Sequence, residues 1–203
     1  MMLKLFARSH RRAIIRALYG VIVAQARAPG FYTGYGVPDT VEGRFDMIVL
    51  HLLLLLRRLR SEPDAIRRLG QEVFDLFCTD MDHSLREIGI GDLAVPKHMR
   101  RLGEAFYGRA AAYDRALASS RNEELVAALA RNVFSGAASG PGSPDRVRPA
   151  PRRLAAYVRA TESSLAGQEG AAIARAELSW PDLHTISMTG AMTGVAASLS
   201  ATP

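Results

Sequence analysis

Four groups of residues have types and spacings that could do chemistry. Asp80, Asp82 and His83 lie close together, with Asp75 a turn and a half earlier. A metal site needs its ligands to converge on one point. On a helix Asp75 and Asp82 share a face while Asp80 and His83 lie elsewhere, and the sequence holds neither HExxH nor a Glu-x-x-His pair of the di-iron kind. A solvated acidic face paired with Arg86 is the reading these residues support, and no metal or cofactor is expected. His51 stands alone inside a leucine run. Haem ligation would require a second ligand or a CxxCH element, so a core histidine bonded to a backbone carbonyl or a neighbouring helix is the first reading, and a partner-facing polar contact the second. Gly89-Ile90-Gly91-Asp92 follows no strand and has too few glycines to cradle a phosphate. The single cysteine, Cys78, sits among Phe74, Leu76 and Phe77, with no basic niche to lower its pKa, and reads as a small hydrophobe. No nucleophile elbow and no Cys–His pairing is present, so no catalytic residue is expected.

The elements that would position these residues are helical. With 203 residues, 48% hydrophobic and 23% charged, the chain suits a single domain with a proper core. One cysteine rules out an intrachain disulfide. Helix signals divide the chain as follows. Leu3 to Ala26 is stopped by Pro29-Gly30. Residues 30–38 form a glycine- and aromatic-rich connection. Asp39 caps a helix to Arg60, with Glu42 completing a capping box. Ser61-Glu62-Pro63-Asp64 starts a helix that reaches Ile88, where Gly89 supplies a left-handed end. Pro96 opens a helix to Ala118, and Ser120 or Asn122 caps the next, which ends before Gly136. After a glycine- and proline-rich loop at 135–151 come a helix from Arg152 to Leu165 and a weaker one from Glu169 to Leu178. Trp180-Pro181 closes the ordered part. No strand-period segment appears. The fold class is therefore all-α, a single-domain bundle of six to seven helices, organised as a basic amino-terminal helix over 1–30, a helical domain over 31–180 and a poorly ordered, uncharged tail over 181–203.

The charge is concentrated at one end. Lys4, Arg8, Arg11, Arg12, Arg16 and Arg27 carry the whole net charge of +6, because the other 20 basic residues are matched by 20 acidic ones. A nucleic-acid binder with a uniformly basic surface would look different, and no nucleic-acid partner is expected. Lys4, Arg8, Arg12 and Arg16 follow i, i+4 spacing and, with Arg11, form a candidate membrane-surface face toward anionic headgroups; a solvated basic face is the plainer reading, and a removed targeting peptide the third. The most apolar run, Met47 to Leu56, rises about 15 Å as a helix, half of what a bilayer requires, so it is a buried or groove-facing helix.

The helix from Pro96 carries Phe106-Tyr107-Gly108-Arg109 and Tyr113-Asp114. Leu102, Ala105, Phe106, Arg109, Ala112 and Tyr113 form one stripe, which is first of all core packing. Gly103 and Gly108 each cost about 1 kcal/mol against alanine inside a helix, and such glycines admit a second backbone, either of this chain or of a partner. The cations Lys97, His98, Arg100 and Arg101 at this helix's start oppose its macrodipole and point weakly to an anionic partner.

Taken in order, the leucine run from Leu50-His51 to Arg57-Arg58-Leu59, the segment DMDHSLREIGIGDLAV from Asp80 to Val95, Lys97 with Met99, the Phe106–Arg109 block, LVAALARNVF from Leu125 to Phe134, and Leu154 with Tyr157-Val158-Arg159 resemble the ubiquinol–cytochrome c chaperones, in particular their alphaproteobacterial branch. No single motif is specific; the order and spacing over about residues 31 to 160 carry the likeness. The resemblance implies an all-helical, non-enzymatic assembly factor of complex III. Its members bind newly made cytochrome b, and the mitochondrial form works with a small partner chaperone that a bacterial relative need not have. It implies client-binding residues among His51, Leu55, Lys97, Arg101, Phe106, Tyr107, Arg109 and Tyr113. A cytoplasmic location is expected, peripheral on the inner membrane if the first helix, which lies outside the matched region, touches lipid. A small helical enzyme or a membrane-surface adaptor of another pathway is the alternative.

Overall fold

A computed structural model describes residues 2–135, 149–183 and 185–186, with side chains from Ser9 onward. The loop at 136–148 and the tail at 187–203 lie outside the described residues, as do the side chains of Lys4 and Arg8. The described residues are all-α. Six long helices are α1 (Met2–Ala26), α3 (Val41–Leu59), α4 (Asp64–Glu87), α5 (Val95–Ala118), α6 (Asn122–Asn132) and α7 (Ala150–Ala166); two short ones are α2 (Pro29–Thr33) and α8 (Gly170–Ile173).

α3 is the axis of the bundle. From Met47 to Leu55 every residue is buried, so the helix is apolar on all sides and is covered by α1, α4, α5 and α7. A helix of this kind can only sit at the centre. No described helix is long and apolar enough to cross a membrane. α1 runs parallel to α4, fixed by Arg11 on Glu72 (2.6 Å) and by the Tyr19 hydroxyl on Asp80 (2.7 Å). Gly70 lets α4 close on α3, since a Cβ there would lie 3.2 Å from Leu56 Cδ2. The end of α5 is capped from α7: the Arg159 guanidinium donates to the carbonyls of Ala116, Leu117 and Ser119. Arg58 likewise donates to the Leu165 and Gln168 carbonyls at the end of α7, both at 2.7 Å. These guanidiniums satisfy last-turn carbonyls that have no partner within their own helix.

Several boundaries differ from the sequence expectation. α3 is capped by Thr40, which has extended backbone and accepts the Gly43 amide at 3.1 Å; the Asp39 carboxylate turns instead to Arg44 at 2.7 Å. The connection over 30–38 begins with the single turn of α2. Ser61 does not cap α4: its hydroxyl donates back to the Arg58 carbonyl, and Pro63 fills the N-cap position without a side-chain bond. Neither Ser120 nor Asn122 caps α6, whose N-cap is Arg121. The helix expected to Leu178 shrinks to Gly170–Ile173 because Ala176 takes φ +63°, which ends helical geometry. Trp180-Pro181 is not the end of the packed chain, since the Leu183 carbonyl accepts from the Tyr35 hydroxyl at 3.0 Å. Gly89 has the expected left-handed φ of +88°, and the Ile90 amide reaches back to the Leu85 carbonyl at 3.0 Å.

Candidate functional site

A groove of about 400 Å³ opens between the second half of α3, the first half of α4 and the middle of α5. Its floor is Leu53, Leu56, Phe74, Phe106 and Ala110, its wall Tyr107, and its mouth Arg60, Arg67 and Arg68. Local sequence explains each contribution. Leu53, Leu56 and Arg60 follow one another at helical spacing on α3, as Arg67, Gly70 and Phe74 do on α4, so the two stripes face each other across the close approach at Gly70. Phe74 packs on Phe106 (4.7 Å between centroids), and Phe106 meets Tyr107 edge-on at 5.8 Å. Tyr107 itself is 66% exposed, a large aromatic left in solvent beside an apolar floor. Of the mouth arginines, Arg60 pairs with Asp114 and Arg67 with Asp64, while Arg68 has no acid within ion-pair distance among the described residues. The lining is aliphatic, aromatic, guanidinium and amide: groups suited to holding an apolar segment by area, with positive charge at the entrance.

The eight residues singled out for client binding fall into three places. Tyr107 and the edge of Phe106 line the groove. His51, Leu55, Arg109 and Tyr113 lie beneath the surface. His51 and Leu55 are fully buried and present nothing that a docked partner could touch. His51 Nδ1 donates to the Met47 carbonyl (2.7 Å), which fixes the tautomer, and its Nε2 accepts from the Tyr157 hydroxyl (2.8 Å), which in turn accepts from Gln25 (3.1 Å). Phe31 and Trp180 close edge-on around the ring, and burial pushes its pKa down to about 4. Arg109 is committed inward to Asp46 at 2.6 Å and ties α5 to α3. Burial nevertheless raises the Asp46 carboxyl to about 6, the Arg109 charge offsetting only part of that effect. Tyr113 is buried, which raises its hydroxyl pKa. Lys97 and Arg101 are exposed on the first turns of α5, roughly 15 Å and 9 Å along the helix from Tyr107, and stand outside the groove.

The remaining candidates are also placed. Gly103 and Gly108 have nothing within 4 Å of a Cβ built on them, so no backbone of the described chain approaches either. Asp75 pairs with Gln71, Asp80 with Tyr19, Asp82 with Arg86 and His83 with Glu87, each in its own local contact. Cys78 is half-buried, and burial raises its thiol pKa. Arg11 is taken by Glu72, whereas Arg12 and Arg16 are exposed on α1. Sequence reasoning missed Leu53, Leu56, Gly70, Phe74 and Arg68; the facing three- and four-residue stripes of α3 and α4 were the available signal.

Residues 33–180 match the family described as Ubiquinol-cytochrome C chaperone. The crystal structure of the Cbp3 homolog from Brucella abortus superposes with a TM-score of 0.76 at 40% sequence identity, covering 91% of this chain and 98% of that one. The Xenopus laevis protein named ubiquinol-cytochrome-c reductase complex assembly factor 1 is 25% identical over 118 residues, 58% of each chain. The match thus spans little more than half the length of that curated relative.

Proposed function

The chain belongs to the ubiquinol–cytochrome C chaperone family, and from that premise we propose that it acts as an assembly chaperone of complex III, holding newly made cytochrome b in the groove between α3, α4 and α5. The observation that carries the reading is the pairing of an open apolar floor with a solvent-exposed Tyr107 and a cationic mouth. An unassembled membrane protein offers apolar helical segments that must be kept from aggregating, and a groove of this kind binds them by buried area without altering them. Tyr107, Phe106, Phe74 and Leu56 make the contact, and Arg68 meets an acid or a helix carboxyl end of the client. His51, Leu55, Arg109 and Tyr113 serve the site from below by fixing α3 against α5 and α7. The work proposed is binding, not catalysis.

The test is site-specific photo-crosslinking in cells, with a benzophenone side chain at Tyr107 and, as control, at exposed Arg121. Adducts with cytochrome b at position 107 and not at 121 are expected. Equal labelling at both positions, or normal complex III assembly in a strain lacking the gene, would overturn the proposal.

A further inference from the structure

Beyond the groove, the carboxyl half of α4 and the amino end of α5 form an arm. Between Phe77 and Phe106 the one buried residue is Val95. Asp46, near the start of α3, reaches Arg109 in the middle of α5, so the first two turns of α5 run out past the end of α3 with α4 beside them. The arm ends in the turn Gly89–Ala94, closed by the Ala94 amide on the Gly91 carbonyl at 2.8 Å.

Four large hydrophobic side chains are exposed in the described chain, and two of them, Ile88 (74%) and Leu93 (99%), flank this turn. A singly exposed aliphatic residue needs no explanation, but two at the tip of a projecting arm make a directed apolar point. Behind it stand Lys97 and Arg101, both exposed, one turn apart on the same face, with no acid of the described residues within ion-pair distance. Arg100 beside them reaches only Glu104, at 4.0 Å. The nearby acids face elsewhere: Asp92 is held by Arg86, which also holds Asp82, and Glu87 is held by His83. These cations sit at the positive end of α5, where the helix itself repels them and an external anion would be favoured.

We infer that the tip of the α4–α5 arm docks on an anionic lipid surface, with Ile88 and Leu93 entering the acyl boundary and Lys97, Arg100 and Arg101 at the level of the headgroups. The spacing fits. Lys97 is about 6 Å and Arg101 about 12 Å along the chain axis from Leu93, which matches the depth to which interfacial segments sink. Nucleic acid would use the cations but gain nothing from two aliphatic side chains. The contact is distinct from the basic face of α1. Arg11 lies beside Glu72 and Tyr19 beside Asp80, so Arg12 and Arg16 stand level with the middle of α4, about 20 Å from the tip. An arm that rests on the membrane would leave the groove, two to three turns further along α5, facing the adjacent layer.

Flotation of the full-length chain with vesicles of phosphatidylcholine, alone or with about one-third phosphatidylglycerol, tests this. The wild type should float with the anionic vesicles and lose binding with added salt. Ile88→Ser with Leu93→Ser should reduce flotation about tenfold, and Lys97→Gln with Arg101→Gln should remove the preference for anionic lipid, while Arg12→Gln with Arg16→Gln changes binding by less than about twofold. All four side chains of the arm variants are exposed, and unchanged thermal melts confirm that the variants fold. Undiminished flotation of the Ile88/Leu93 variant overturns the inference, as does loss of flotation in the Arg12/Arg16 variant. Retention on ribosomal RNA that depends on Lys97 and Arg101 but not on Leu93, without vesicle binding, also overturns it. Crosslinking of detergent-solubilised cytochrome b from position 107 should persist in the arm variants, so failure of the groove and failure of the arm give separate results.

Discussion

Two buried titratable groups should give the protein opposed pH responses that cancel in the wild type and separate on mutation. His51 titrates near 6.5 when unfolded and about 4 when folded, because burial excludes the imidazolium. The unfolded chain therefore binds the proton first as the pH falls, so the stability contributed by neutral His51 is fully present above pH 6.5 and is lost toward pH 4. One pKa unit corresponds to about 1.4 kcal/mol, and the loss between pH 7 and pH 5 comes to about 2 kcal/mol. Asp46 works the other way. Its folded pKa of about 6 lies above the 3.8 of the free carboxyl, so the folded chain holds the proton longer and gains about 1 kcal/mol over the same interval. The two together leave a net loss of under about 1 kcal/mol. His51→Gln removes the first effect, and its stability change from pH 7 to pH 5 should be more favourable than the wild type's by about 2 kcal/mol; Asp46→Asn removes the second and should be less favourable by about 1 kcal/mol. Urea unfolding followed by circular dichroism at both pH values reads these differences as midpoint shifts of about 0.5 to 1 M. The other carboxylates titrate alike in all three proteins, so the comparison isolates the pair. Identical pH slopes in the wild type and both variants would refute the reasoning, and with it the neutral, buried state of His51.

Four further outcomes follow from the packing and are read by thermal melts. Gly43→Ala places a Cβ 2.1 Å from the Pro38 carbonyl oxygen and should cost more than about 2 kcal/mol despite alanine's helix preference. Gly103→Ala and Gly108→Ala meet open space and should each stabilise by up to about 1 kcal/mol; a drop in client crosslinking in these stabilised variants would show that the client's backbone comes close there. Tyr157→Phe leaves His51 Nε2 and the Gln25 amide without their shared partner and should cost about 1 to 3 kcal/mol, whereas Arg159→Lys should cost about 1 to 2 kcal/mol because an ammonium cannot span the three carbonyls that end α5.

The parts of the fold that were legible from sequence are those set by local pattern. The run from Met47 to Leu56 can only be a buried helix, and Gly89 marks the end of α4 because that turn needs positive φ. The stripe through Phe106 and Tyr113 found the two buried anchors of α5, although its member Ala105 is exposed, and the reading of His51 as a core histidine followed from its lone place in an apolar run. What was not legible depends on partners far along the chain. Arg109 looks like a free cation until Asp46, 63 positions away, is seen beside it. The choice of Thr40 over Asp39 as cap turns on one residue of helix phase, which composition does not fix. The groove is a product of three helices; its α3 and α5 sides carried recognisable sequence blocks, whereas its α4 side, Arg67 to Phe74, carried none.

The arginines show why charge alone misdirects a search for the site. Arg57, Arg58, Arg109 and Arg159 lie in conspicuous motifs, yet each is spent inside the fold. Arg57 joins Asp114 to Glu162, Arg58 and Arg159 terminate helices α7 and α5, and Arg109 holds α3. A guanidinium with five donors in a fixed plane is suited to such internal tasks, and a helical bundle with six long helices has many carbonyl ends to satisfy. The informative cations are those left over: Arg68 at the mouth of the groove, Lys97 and Arg101 behind the arm's tip, and Arg12 and Arg16 on α1. Of these, Arg68 stands beside the apolar floor and Lys97 and Arg101 behind the apolar tip. A charge adjoining exposed apolar surface gains from a partner that supplies both an anion and an apolar body, whereas a charge on a hydrated face is already satisfied by water and salt. That difference is the ground for proposing a membrane-protein client at the groove and lipid at the arm.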